Sequence, residues 1–157
     1  MAKLQETLLP AQEGDVLELD ELWSYVGNKK NQVWIHLALC RRTRQIVAWM
    51  PGDHTSYVAA QLWEKVPQAY KRCLAYADGW AAYAGAVPQE QLHQQEKKGP
   101  TNHLERFNLT LRNRVGRLTR KTLSFSKCPL MHIIHIRSFL VQYNQLQAQK
   151  YLKSTST

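Results

Sequence analysis

Several features that the sequence lacks narrow the classes of protein to which it can belong. No stretch approaches the roughly 20 consecutive apolar residues that a membrane-spanning helix needs. The first residues, MAKLQETLLPAQEGD, contain neither the apolar segment nor the cleavage site of a secretory signal. We therefore expect a globular protein without a membrane partner, located in the cytoplasm.

Cysteine is also scarce. The three cysteines, Cys40, Cys73 and Cys128, are an odd number, are widely spaced and form no C-x-x-C motif. This pattern predicts reduced thiols and argues against a disulfide framework. His132 and His135 lie near Cys128 at a spacing that can bind zinc on a helix, but no fourth ligand is evident, so a zinc site is disfavoured.

Acidic residues are nearly missing from the last third of the chain. Residues 97–157 carry twelve Lys or Arg and a single acid, Glu105, whereas residues 1–96 carry nine Lys or Arg and eleven acids. The formal net charge of +9 is therefore concentrated at one end of the sequence. Such a concentration predicts a surface that binds a polyanion.

The first half of the chain has the pattern of an antiparallel meander. The segments 15–26, 32–40 and 44–51 are rich in β-branched and aromatic residues, and the breaks between them are short and polar. A helix is then expected over 54–67, where Thr55 or Ser56 can cap its N-terminus.

The second half alternates between strand-like and helical patterns. Residues 72–80 predict a fourth strand, which would pair in parallel because a helix precedes it. The next segments predict a short helix over 81–88 and a strand or loop over 90–102. Two longer helices are then expected, over 102–122 and over 130–152. The first of these carries one apolar stripe, formed by Leu104, Phe107, Leu111, Val115 and Leu118. This order predicts an α/β, ribonuclease H-like fold with a lead-in at 1–14, one ribonuclease H-like domain at 15–146 and a polar C-terminal tail at 147–157.

Three acids stand out by their predicted positions. Asp20 lies midway along the first strand, Asp78 ends the fourth, and Glu105 lies early in the basic helix. Taken singly, they are compatible with a strand edge, a turn and a helix N-terminus. In the predicted fold the first and fourth strands are neighbours and the helix can approach them, so the three carboxylates are expected to converge.

Converging carboxylates repel one another unless a cation neutralises them. Two divalent ions, Mg²⁺ or Mn²⁺, favour carboxylate oxygens and can together bind the attacking and leaving oxygens of a phosphodiester. The period of two places Glu18 on the same strand face as Asp20, as a possible accessory, and predicts that Glu21 faces away. Glu90 and Glu96 are the alternatives to Glu105.

The segments ELDELWSYVGNKKNQVWIHLAL, YADGW and NHLERFNLTLRNRVGRLTRKTLSFSK resemble the catalytic part of the insertion-sequence-one transposases of the InsB type, over about residues 16–146. The resemblance implies a DDE transposase with catalytic Asp20, Asp78 and Glu105. It also implies metal-dependent cleavage at the ends of a transposon, followed by attack of the freed 3′-OH on target DNA.

One departure from that family concerns the beginning of the chain. The complete family enzymes start with a zinc-finger-like segment and a helix-turn-helix region, whereas no cysteine here precedes Cys40. The expectation is that this chain corresponds to the downstream reading frame. A ribonuclease H-like nuclease such as a junction resolvase, or a non-catalytic DNA-binding or assembly subunit, remain the alternative functions.

The basic helix and the residues after it are the predicted DNA contacts, mostly to backbone phosphates. The alternative is an ordinary solvated helix face. Trp80, which follows the Asp78-Gly79 turn, is a further candidate for stacking on a base. The expected partners are double-stranded DNA in the nucleoid and other copies of the chain within a DNA complex. The predicted DNA-binding residues are Asn102, His103, Asn108, Arg112, Arg114, Arg117, Arg120, Lys121 and Lys127.

Overall fold

The computed structural model describes residues 3–94, 101–121 and 129–156, without the side chains of residues 28, 29, 114–121 and 129. Within these ranges, none of the helices is both long enough and apolar enough to span a membrane.

Five strands and four α-helices make up the described fold. The strands are β1 (Val16–Val26), β2 (Asn28–Cys40), β3 (Ile46–Gly52), β4 (Leu74–Ala77) and β5 (Leu92–Gln94). The helices are α1 (Ser56–Lys65), α2 (Ala82–Ala86), α3 (Asn102–Lys121) and α4 (Pro129–Thr155), with single 3₁₀ turns at Leu4–Thr7 and Gln68–Tyr70. Each predicted strand and helix is present, with β2 and α4 longer than the sequence patterns indicated.

The strands form one mixed sheet in the order β3-β2-β1-β4-β5. β1, β2 and β3 are antiparallel neighbours, and β4 and β5 join in parallel on the other side of β1. This topology confirms the α/β class and agrees with the predicted ribonuclease H-like arrangement. It makes β1 the central strand, buried on both faces, and places its acidic middle inside the protein.

Local sequence explains how these elements begin and turn. Gly27, between β1 and β2, has φ 76°, a left-handed conformation that glycine adopts without steric cost, so the hairpin turns there. The side chain of Thr55 accepts a hydrogen bond from the N–H of Val58 and caps α1, as expected. Pro67 follows the end of α1 and starts the 3₁₀ turn.

Two hydrophobic cores lie on opposite faces of the sheet. Because side chains alternate along a strand, Leu17 and Leu19 of β1 pack into the core under α1 and α2, whereas Leu22 packs into the core under α3 and α4. The predicted stripe of α3 is confirmed at Leu104, Phe107 and Leu111, all buried. Its remaining positions, Val115 and Leu118, lie outside the described side chains.

The segments expected as lead-in and tail both pack on the domain. The Gln45 side chain binds the backbones of Thr7, Leu9 and Asn144, which connects residues near the N-terminus to α4. Residues 147–155 belong to α4, and the hydroxyl of Tyr151 in this segment accepts a hydrogen bond of 2.9 Å from Arg42.

Candidate active site

A cluster of carboxylates lies where β1 and β4 run side by side. Asp20, Glu21 and Asp78 each place one oxygen within 4.8 Å of the others. The parallel pairing ends with Glu18 opposite Tyr76, and two residues further along each backbone come Asp20 within β1 and Asp78 just after β4. The backbone register therefore explains why acids 58 positions apart in the sequence meet. The predicted convergence of Asp20 and Asp78 is seen in the structure.

Asp20 and Glu21 approach the cluster from opposite faces of the sheet. Asp20 accepts a hydrogen bond of 3.0 Å from the Asn108 amide of α3. Glu21 accepts one from the Tyr83 hydroxyl on the other face and lies 3.3 Å from Nε2 of His54. The predicted opposite orientation of Glu21 is confirmed, but the prediction that Glu21 faces away from the site is wrong. Asp78, just beyond the end of β4, lies within reach of both faces.

The electrostatics of the cluster favour a bound cation. Burial raises the pKa of Asp20 to about 7, and the charges of Glu21, Asp78 and Glu105 add to this, against the opposing hydrogen bond from the Glu21 N–H. Burial also raises the pKa of Glu21, and Asp78 contributes, while Tyr83 and His54 act in the opposite direction. Like charges in one site are tolerated when a proton or a metal ion compensates them.

The chemistry of the donors fits a hard divalent metal ion. All three cluster ligands are carboxylate oxygens, which Mg²⁺ and Mn²⁺ prefer over sulfur or nitrogen. Asn108, only 7% exposed, donates its amide N–H to Asp20, yet its Oδ1 is buried without a hydrogen-bond partner. A buried amide oxygen without a partner is a group that a bound cation can satisfy.

Glu105 lies close to the cluster without belonging to its tightest part. Its N–H donates to the carbonyl of Thr101 at the start of α3, and its charge raises the pKa of Asp20. The 4.8 Å cluster is formed by the other three acids. Its assignment as the third catalytic carboxylate therefore stays a prediction. Of the two alternatives, Glu90 is exposed before β5, and Glu96 lies outside the described residues.

Glu18 has a different function from the accessory ligand that the strand pattern suggested. It is fully buried and accepts hydrogen bonds from the backbone N–H groups of His103 (3.1 Å) and Leu104 (3.2 Å). The His103 ring lies 2.7 Å away, and Nε of Arg41 donates at 3.1 Å. Glu18 thus binds the free N–H groups at the start of α3 and fixes this helix against β1.

Two residues around Glu21 were not found from the sequence. The ring of His54 is stacked between Trp34 (4.2 Å between centroids) and Trp80 (4.0 Å), and Tyr83 packs edge-on against Trp80. Both His54 and Tyr83 lie far from Glu21 in the sequence, so no local pattern connects them. Trp80, a candidate for base stacking, presents a face to His54 in this structure.

The predicted DNA-binding residues divide into three groups. His103 and Asn108 are held by Glu18 and Asp20. Asn102 and Arg112 are exposed on α3. The remaining predicted contacts lie outside the described side chains: Arg114, Arg117, Arg120, Lys121 and Lys127.

Of the residues considered for a zinc site, His132 and His135 are described by the structure. Nε2 of His132, a buried residue, lies 3.2 Å from the hydroxyl of Ser24. Cys40 and Cys73 are buried free thiols. Cys128 lies outside the described residues.

Comparison with known proteins identifies the protein family of the chain. The sequence model of the IS1 transposase family matches residues 16–145, which contain Asp20, Glu21, Asp78 and Glu105. The chain belongs to the IS1 transposase family. The carboxylate cluster is therefore a feature of an IS1-family domain and lies in the strands that the match includes.

Named relatives agree with this assignment. The InsB protein of insertion element iso-IS1n from Shigella dysenteriae is 33% identical over 128 residues, 82% of this chain and 95% of the relative. The IS1 InsB protein of Shigella flexneri is 37% identical over 115 residues, 73% of this chain and 86% of the relative. The IS1 4 InsB protein of Escherichia coli K12 is 36% identical over 115 residues, 73% of this chain and 67% of the relative.

Proposed function

We propose that this chain is the catalytic part of a DDE-type DNA transposase, which cleaves the ends of a transposon and transfers the freed 3′-OH to target DNA. The main support is the juxtaposition of Asp20 and Asp78 on neighbouring strands of an IS1-family domain. Paired carboxylates on adjacent strands suit phosphodiester chemistry, because the reacting oxygens and the phosphate all carry negative charge that has to be compensated.

Asp20, Asp78 and Glu105 are the proposed catalytic residues and the proposed ligands of Mg²⁺ or Mn²⁺, with Glu21 as an additional carboxylate of the cluster. Bound divalent ions would activate the attacking hydroxyl and stabilise the departing 3′ oxygen. The chain itself fixes the geometry. Asn108 orients Asp20, and the register of β1 and β4 positions Asp78 beside it.

Double-stranded DNA is the proposed partner, and α3 is the proposed element of contact. Its exposed residue Arg112 lies on the flank of Glu105, since residues seven apart return to about the same side of a helix, and the exposed Asn102, one turn earlier, lies roughly 60° from Glu105 around the helix. A duplex that crossed this flank would pass the carboxylates with its phosphates towards Arg112. We also propose that several copies of the chain assemble on DNA in the nucleoid.

Cleavage of a duplex that carries the terminal inverted repeats of the source element tests this function. We expect nicking by the full chain with Mg²⁺ or Mn²⁺ and none with a chelator. Asp78→Asn should lower the rate by about 100-fold or more and weaken Mn²⁺ binding measured by calorimetry.

Asp53→Asn is the matched control, because Asp53 is an exposed aspartate outside the 4.8 Å cluster. It should retain both cleavage and Mn²⁺ binding. Metal-dependent cleavage that survives in both Asp78→Asn and Asp20→Asn would refute the site assignment. DNA binding without cleavage in either metal would contradict a catalytic role for this chain.

A further inference from the structure

A second site with defined chemistry lies in the groove between α3 and α4. The groove has a volume of about 530 Å³, within the roughly 300–1,000 Å³ of pockets that hold small organic ligands. Its lining includes Arg106 and Thr110 of α3, Phe139 and Tyr143 of α4, and Arg44 from the loop between β2 and β3.

Arg44 is held in this groove by an unusual backbone. Its φ of 63° is the only left-handed conformation of a non-glycine residue among those described. One of its guanidinium nitrogens, Nη1, is buried without a hydrogen-bond partner. A strained backbone that keeps a cation partly unsatisfied is typical of a binding site, because a ligand can supply the missing counter-charge.

The charged residues that line the groove determine whether it suits a cationic or an anionic ligand. Arg44, Arg106 and Lys150 all contribute to the lining, which includes no Asp or Glu. The salt bridges of the described residues are formed by Arg41 and Arg42, and by His54 and His103 when these are protonated, and none includes Arg44, Arg106 or Lys150. Three cations that have no carboxylate partner within the described part of the chain favour an anionic ligand, and guanidinium groups suit the oxygens of a phosphate.

The walls of the groove add an aromatic surface. Phe139 and Tyr143 line it and lie 6.3 Å apart with their ring planes at 25°. Phe107 also lines the groove, with its centroid 6.2 Å from that of Phe139 and 4.7 Å from that of Tyr143. Aromatic rings next to phosphate-binding cations are the combination that recognises an unpaired base together with its backbone.

The groove is separate from the carboxylate cluster. Positions 103, 106 and 110 of α3 line the groove, whereas Asn108 binds Asp20. At 3.6 residues per turn, Glu105 and Thr110 lie roughly 140° apart around the helix. The two sites therefore lie on different flanks of α3.

We propose that this groove binds an unpaired nucleotide, with its phosphate beside Arg44 and Arg106 and its base against Phe139 and Tyr143. Within the function proposed above, the nucleotide belongs to a DNA strand that leaves the duplex near the reacting end. That context rests on the proposed function, whereas the nucleotide-binding chemistry rests on the groove alone.

Binding of fluorescent duplexes to the full chain without metal tests the proposal. One duplex is blunt, a second carries one unpaired terminal nucleotide, and a third carries an abasic nucleotide at the same place. We expect the unpaired nucleotide to improve affinity by about tenfold, and the abasic version to lose much of that gain. Arg44→Gln and Phe139→Leu should remove the preference for the unpaired nucleotide.

Arg72→Gln is the control, because Arg72 is an exposed arginine outside the groove, and it should keep the full preference. Circular dichroism checks the fold of each variant. If Arg44→Gln fails to fold, Arg106→Gln at an exposed position makes the same test. Asp78→Asn should lose cleavage yet keep the preference, which separates this proposal from that of catalysis.

Two results would overturn the proposal. The first is equal affinity of the unmodified chain for the blunt and unpaired duplexes. The second is a preference that persists in Arg44→Gln and Arg106→Gln. A change in sedimentation of these variants with unchanged DNA preference would assign the groove to contact between proteins instead.

Discussion

At the residue scale, Glu21 is the carboxylate of the cluster that two side chains from the α1 and α2 face of the sheet contact. The Tyr83 hydroxyl donates to it, and the imidazole of His54, fixed between two tryptophans, lies beside it. Such partners restrict the rotation of a carboxylate before any ligand arrives. Their arrangement suits a group that must present its oxygens in one direction.

Tyr83→Phe removes only the hydroxyl that orients Glu21. We expect the affinity of the cluster for Mn²⁺ to fall by about 10-fold or more, because second-shell hydrogen bonds typically contribute this much to metal binding. Calorimetric titration with Mn²⁺ measures the change.

Tyr70→Phe is the matched control, since it also removes a buried hydroxyl, which donates at 2.6 Å to the carbonyl of Leu9 and touches no cluster acid. Equal Mn²⁺ affinities for the two variants would show that Tyr83 has only a structural role.

At the scale of elements, α3 is attached to the central strand at two points. Glu18 binds the first N–H groups of the helix, and Asn108, about one and a half turns later, binds Asp20. Both acids lie on the same face of β1. The helix that carries Glu105 is therefore positioned by the strand that carries Asp20.

Glu18→Gln keeps the shape of the side chain and removes its charge. We expect a loss of about 1–3 kcal/mol in the free energy of unfolding, because hydrogen bonds to a charged acceptor are stronger than those to a neutral amide. Amide hydrogen exchange in residues 103–111 should rise more than exchange in β2.

Asp15→Asn gives the comparison, because Asp15 forms a similarly buried ion pair with Arg42 outside α3. It should destabilise the protein without a selective effect on α3. If amide hydrogen exchange increases equally throughout the protein in both variants, the anchoring role of Glu18 is contradicted.

The elements were largely predictable because their signals are local. Short segments of sequence contain each of these signals: the alternation of β1, the Thr55 cap of α1 and the apolar stripe of α3. The contacts of Glu18 and Glu21 were not predictable. They depend on the packing of α3 against β1 and on the position of Tyr83 across the other face, which no short-range periodicity encodes.

At the scale of the whole molecule, the charges of the chain are unevenly distributed. Eleven of the twelve acids lie in residues 1–96, where they include the cluster, and the cations predominate beyond. A DNA duplex near the carboxylates would thus be attracted by the later part of the chain. Such attraction is electrostatic and weakens as salt rises.

Arg112→Gln tests this electrostatic attraction of DNA at an exposed position of α3. We expect the slope of log affinity against log salt to decrease in magnitude by about 1, since one phosphate contact releases about one counterion. Fluorescence anisotropy with a duplex, from about 50 to 200 mM salt without metal, measures the slope. Arg72→Gln should leave it unchanged, and an unchanged slope in Arg112→Gln would exclude this contact.

The carboxylate cluster receives side chains from both faces of the sheet, and it therefore connects the two hydrophobic cores. Asp20 is tied to the core under α3 and α4, and Glu21 to the core under α1 and α2, although the two are neighbours in the chain. A cation shared by both carboxylates would stabilise the folded state by mass action. Loss of either core would release that cation, so the two halves of the fold would become one cooperative unit when it is bound.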